Sequence, residues 1–133
     1  MRYEILIVGV LFFLSGCAPE SAIQQRSSVR PASGSGISCS SGVECQNIGL
    51  QYVGKADQKN YAIASKYFKR SCDYGLSEGC NNLAFLYANA RGVDQSYTLA
   101  YQYWGKACRM GNQAACSNLE LAKDKVAEMH KKK

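Results

Sequence analysis

The chain carries seven cysteines and a single histidine, so its sulfur chemistry has little imidazole to work with. Two cysteine pairs are written alike. SCDYGLSEGC spans residues 71–80 and ACRMGNQAAC spans residues 107–116, each a C-x7-C with a glycine inside. Cys39 and Cys45 lie closer together. Cysteines in this number act as metal-binding thiolates or as disulfides. Zinc sites favour C-x2-4-C spacings, usually with histidine. The spacings here are longer, and His130 stands alone near the end, so neither metal nor cofactor is expected. With Cys17 set aside, the even set Cys39, Cys45, Cys72, Cys80, Cys108 and Cys116 is the count of a disulfide framework.

Cys17 belongs to a different chemistry. The apolar run Ile5 to Leu14 is too short for a bilayer span, which takes about 20 residues, and fits the core of a secretory signal. Leu14-Ser15-Gly16-Cys17 resembles the lipobox of bacterial lipoproteins. The resemblance implies a signal peptide over residues 1–16, a diacylglycerol on the Cys17 thiol and acylation of its amine after cleavage. Such a multiply acylated residue meets the need for more than one chain in a stable anchor. Ala18, in place of Asp, implies export to the outer membrane by the same resemblance. Residues 18–38 are rich in Ser, Gln, Pro and Gly without apolar periodicity, which reads as a flexible tether. An exported chain lives where disulfides persist. The folded part is then residues 39–130, about 90 residues, a small domain with little core to spare.

The elements that position the cysteines repeat. Residues 61–83 and 97–119 match at Tyr61/Tyr97, Ala64/Ala100, Tyr67/Tyr103, Cys72/Cys108, Gly75/Gly111, Cys80/Cys116, Asn82/Asn118 and Leu83/Leu119, an offset of 36. CQNIGLQY at 45–52 aligns with CNNLAFLY at 80–87. A fixed period in this range signals a repeat array. Cys80, Leu83, Ala84 and Tyr87 fall on one helical face. Gly92 is expected to stop that helix as a left-handed cap, and Asp94 to cap the next, over about 95–110. Gly111 ends it and Asn112 caps its successor. Cys72 then sits in the last turns of one helix and Cys80 in the first turn of the next, with Gly75 turning the chain between them. Such a turn can bring the Cα atoms within the 4.4–6.8 Å that a disulfide needs. Cys72–Cys80 and Cys108–Cys116 are the expected pairs, and Cys39–Cys45 follows by elimination.

This pattern resembles the Sel-one-like repeat family, relatives of the tetratricopeptide repeats. The likeness is carried by Leu83-Ala84-x-x-Tyr87, Gly92-Val93, Ala100-x-x-Tyr103-Trp104, Lys106-Ala107 and Gly111-x-x-x-Ala115. With its C-x7-C pairs, the period looks like the cysteine-rich, Helicobacter-type subgroup. Ala84 departs from the family glycine, which Gly49 keeps in the first unit, and the third unit stops after one helix. The fold expected is an all-α, right-handed helical-repeat solenoid of antiparallel α/α pairs stapled by disulfides. Its units are 39–75 and 76–111, followed by a capping helix at 112–130 and a basic tail at 131–133. Some proteins of the subgroup have been classed as penicillin-binding or β-lactamase proteins, which makes a penicillin-interacting enzyme an alternative.

The residues themselves offer that enzyme no mechanism. No serine has Lys three residues on, and Lys-Thr-Gly, Gly-x-Ser-x-Gly and His-Glu-x-x-His do not occur. Repeat arrays bind on the face lined by the first helix of each unit. There Asn82, Phe85 and Asn89, with Asn47 and Asn118 in neighbouring units, form a candidate peptide groove. The simpler reading is that these Asn residues bond local carbonyls. Tyr67, Phe68, Tyr103 and Trp104 are read as core. The formal charge is +6 and the pI about 9.0. An exported lipoprotein rarely meets nucleic acid, so acidic partners at the membrane surface or cell wall are the expected ones. The expectation is a non-enzymatic, lipid-anchored protein of the cell outer membrane that binds a protein or peptide. A structural component contacting peptidoglycan through Lys131–Lys133 is the remaining alternative.

Overall fold

The computed structural model describes residues 36–132. The expectations for residues 1–16, for Cys17 and for most of the tether lie outside the described residues. Among the described residues five helices follow one another: α1 Gly42–Val53, α2 Gln58–Asp73, α3 Ser77–Ala88, α4 Tyr97–Arg109 and α5 Gln113–Lys131. Each packs on the next, and α1 also touches α3. Helix order and packing are those of an all-α repeat array.

Small residues set how closely the helices approach. Ala64, Ala84, Ala100, Ala107 and Ala115 are fully buried, so backbones come together where the sequence alternates Ala with Tyr, Phe and Trp. Phe68, Leu83 and Leu86 fill the space beside them. Tyr67 and Trp104 are buried and Tyr103 is half-buried, as a core role requires. Each helix pair carries the same aromatic stack. Tyr52 lies on Tyr67 with ring centroids 5.8 Å apart, and Tyr87 lies on Tyr103 at 5.9 Å. Burial raises the pKa of the Tyr103 phenol.

The six cysteines pair as Cys39–Cys45, Cys72–Cys80 and Cys108–Cys116, with Cα separations of 5.3, 4.6 and 4.7 Å. At the two later bridges the helix ends in a Schellman turn. Gly75 (φ +87°) donates to the Cys72 carbonyl and Leu76 donates to the Ser71 carbonyl. Gly111 (φ +90°) and Asn112 repeat these bonds to Cys108 and Ala107. Glycine is the residue that enters this left-handed conformation without a Cβ penalty. Among the described residues no helix precedes the first bridge. There Ile37 and Cys39 pack with Ile48 and Tyr67 and cover their apolar surface.

Three details of the helix ends correct the sequence reading. Helix α3 stops at Ala88, and the first left-handed residue after it is Ala90 (φ +52°), ahead of Gly92. Gly92 answers a different demand. It also has positive φ, and a Cβ there would sit 2.1 Å from the Ala62 amide nitrogen. Its N–H donates to Gln58 Oε1 at 2.6 Å, so the α3–α4 loop is pressed onto the first turn of α2. Laying that loop across α2 delays the next helix. Ser96, not Asp94, is therefore the N-cap of α4, accepting from the Leu99 N–H. Asn112 caps α5 as expected, by accepting from Ala115. Lys131 lies within α5 rather than in a separate tail.

Candidate functional site

On the side where α1 and α3 meet lies a hollow of about 270 Å³. Helix α1 contributes Leu50 and Val53, α2 contributes Tyr61 and Phe68, and α3 contributes Asn82, Phe85 and Leu86. Arg91, from the α3–α4 loop, completes the lining. Phe68 and Leu86 are almost wholly buried, whereas Leu50 is 48% and Phe85 43% exposed. Large apolar side chains side by side in solvent are the informative kind of exposure. Behind Phe68, Gly49 leaves out a Cβ that would meet the ring at 2.6 Å. That gap lets α1 lie close on α2.

Arg91 is held in place by the same loop. Its N–H donates to the Leu86 carbonyl, and Gln58 braces the loop through the Ala90 carbonyl and the Gly92 N–H. The guanidinium lies 5.3 Å from the Tyr61 ring centroid and 5.4 Å from that of Phe85, and donates to the Tyr61 hydroxyl at 3.1 Å. Cation–π contacts of this kind contribute about 0.5–1 kcal/mol each at partly exposed sites. Among the described residues no carboxylate forms an ion pair with Arg91.

Of the residues read as a groove, the structure brings Asn82 and Phe85 together in this hollow. The others go elsewhere. Asn89 donates its amide to the Phe85 carbonyl at 2.8 Å, tying off the end of α3. Asn118 donates to Asn81 Oδ1 at 3.4 Å, bridging α5 to α3. Asn47 is exposed and does not line the hollow. The simpler reading of the repeated Asn residues therefore holds for Asn89, while Asn118 serves inter-unit packing. Tyr61, Leu50 and Arg91 were missed. Tyr61 stands in the sequence only as a repeat match to Tyr97, and Arg91 sits in a loop whose length differs between units, so periodicity cannot flag it.

A second concavity, about 390 Å³, lies on α2 and is lined by Ile37, Lys66, Lys69, Arg70, Asp73 and Tyr74. Part of its charge is already used: Lys69 pairs with Asp73 at 2.8 Å and Arg70 lies over the Tyr74 ring. The hydrogen bond to Asp73 raises the pKa of Lys69. Buried hydroxyls are also committed, Ser65 to the Ala62 carbonyl and Ser71 to the Gly42 carbonyl. The six cysteines are oxidised pairs and offer no thiolate to a metal.

Similarity to known proteins is local. The chain is 47% identical over 34 residues to HcpE of Helicobacter pylori, in two strains, a protein whose description carries a provisional β-lactamase label. The matched span covers 26% of this chain and 10% of HcpE, about the length of a single repeat. No family model matches the chain, and no solved structure matches it significantly. The likeness is that of a stretch of this length to part of a much longer protein.

Proposed function

We propose that this chain is a lipid-anchored cell-envelope protein whose disulfide-stapled helical repeat binds another protein or a peptide. The observation that carries the reading is the hollow beside Asn82, where Leu50 and Phe85 stand exposed around a deep apolar floor. Such a surface loses water on contact and gains about 25 cal/mol per Å² of apolar area covered. Support for the anchor comes from Leu14-Ser15-Gly16-Cys17 and the short apolar run before it. Disulfides fit an exported protein, and they suit a binding module by fixing the spacing of the helices that line its surface.

The label on HcpE favours a second reading, an enzyme that acts on β-lactams. It rests on a name attached to a protein of which 10% is matched. The sequence carries no Ser-x-x-Lys on which an acyl-enzyme of that kind depends.

One experiment separates the parts of this reading. The full chain and its Cys17→Ala variant are expressed in a Gram-negative host, fractionated and crosslinked in intact cells. The parent chain is expected in outer-membrane fractions, joined to a discrete protein partner. The variant is expected as uncleaved precursor or outside the outer membrane. Equal fractionation of the two would remove the lipid anchor. Hydrolysis of a chromogenic β-lactam by the purified chain, free of contaminating lactamase, would replace binding by catalysis.

A further inference from the structure

We propose that the hollow beside Arg91 takes an extended peptide that presents a carboxylate next to one large apolar side chain, as a chain end with a C-terminal aromatic or leucine residue does. This rests on the peptide-binding reading and names the chemistry of the ligand. Size is the first constraint. About 270 Å³ lies below the 300–1,000 Å³ typical of drug-sized ligands and cofactors, but accommodates a single large side chain. Lining is the second. Leu50, Val53, Phe68 and Leu86 are hydrocarbon surface, and the Asn82 amide is a polar group suited to a peptide backbone. A sugar would find few partners there.

Charge is the third constraint, and it selects the carboxylate. Arg91 holds a full positive charge at an apolar hollow with no ion-pair partner among the described residues. Its plane is fixed by Tyr61 and Phe85, and the bond to the Tyr61 hydroxyl uses part of its donor set. A guanidinium held in place by aromatic rings has already lost much of its rotamer freedom. Its remaining N–H donors match the fork of a carboxylate, which it binds bidentately. The apolar side chain of the ligand would then cover Leu50 and Phe85, which are exposed without it.

The test uses the full chain with its disulfides intact. The probes are fluorescein-labelled Ala-Ala-Ala-Phe with a free C-terminal carboxylate and the same peptide as its C-terminal amide, titrated by fluorescence anisotropy. The free acid is expected to bind about tenfold tighter than the amide, the scale of one charge-assisted contact, and the gap should narrow as salt rises. Arg91→Gln should lower binding of the acid to the level of the amide, while Arg91→Lys keeps part of the difference. Phe85→Ala should weaken both forms. Circular dichroism melts of each variant exclude unfolding as the cause. Equal binding of acid and amide overturns the carboxylate while leaving peptide binding in place. Acid binding unchanged in Arg91→Gln overturns the role of Arg91. If neither peptide binds while crosslinking still captures a partner, this hollow is not the site.

Discussion

Two kinds of turn join the helices of this molecule, and they are built from different materials. Between units, from α2 to α3 and from α4 to α5, the chain turns on a left-handed glycine and is closed by a disulfide. Within units, from α1 to α2 and from α3 to α4, an alanine, Ala56 or Ala90, enters the left-handed region, followed in the second loop by Gly92, and no bridge crosses the turn. Alanine in that conformation is strained by roughly 1 kcal/mol or more. The unbridged turns are held by side chains instead. Asp57 caps α2 by accepting from the Asn60 N–H, Ser96 caps α4, and Gln58 and Arg91 tie the second loop down onto α2. The contrast extends to α3, whose N-cap position, Leu76, makes no side-chain cap bond. At the other bridged turn Asn112 does cap α5, so a bridge can stand in for a cap without excluding one. The candidate binding surface borders an unbridged turn, the part of the molecule that rests on weak, adjustable contacts.

The strongest way to break the comparison is to reduce the bridges. Each closes a short loop and contributes about 2–3 kcal/mol, against totals of roughly 5–15 kcal/mol for whole domains. Reduction should therefore lower the urea midpoint markedly. Replacing Cys108 and Cys116 together by Ala should cost less than replacing either alone, because a lone thiol can pair wrongly. Equal midpoints for oxidised and reduced chain would mean that the bridges are ornaments on turns that hold themselves.

A finer test exchanges the two turn residues. Gly75→Ala adds a Cβ into open space but at φ +87°, and should cost about 1 kcal/mol. Ala90→Gly makes the reverse change at φ +52° and should gain about 0.5 kcal/mol, relief of strain being partly offset by the added freedom of the unfolded chain. Chemical denaturation of both variants reads the signs. The same sign for both would show that φ does not separate the two kinds of turn.

The smallest expected effect is a dependence on acid. The Asp57 carboxyl is held below its ordinary pKa by hydrogen bonds from the Asn60 backbone and side chain. A lowered folded-state pKa contributes stability that is present above the unfolded value and lost as pH falls through the folded one. Asp57→Ala should accordingly be less stable than the parent at pH 6, with the difference shrinking as the pH falls below 4. Glu44, lowered by hydrogen bonds from the Ser40 side chain and backbone, responds in the same direction at the first bridge. A difference between Asp57→Ala and parent that stays constant with pH would remove the charge of Asp57 from the account.

The bridged turns were legible because each part has a residue signature. Cysteine spacing, Gly75, Gly111 and Asn112 announce a left-handed stop and a cap, and repetition of the pattern confirms it. The unbridged turns were not. Ala90 in a left-handed conformation has no mark in a sequence, and Gly92, two residues on, drew the helix end to itself although its absent side chain serves the contact with Ala62. Asp94 reads as the cap of α4, but the loop lying across α2 moves the helix start to Ser96. At the candidate site, Phe85 and Asn82 could be read from the helical face they share. Arg91 could not, since its position depends on Ala90, Gln58 and Tyr61 acting together. Asn47 and Asn118 were drawn in by repetition alone, which reports register and not which neighbour a side chain meets.

The bridges also have a consequence for how such a chain can grow. Their partners are 6, 8 and 8 positions apart in sequence, so every bond begins and ends at the same turn. Duplicating one period of this sequence would bring along both halves of a new bond and would leave every existing partnership intact. Deleting a period would strand no sulfur. A lineage can therefore lengthen or shorten this protein by whole units without ever passing through a form with mismatched cysteines.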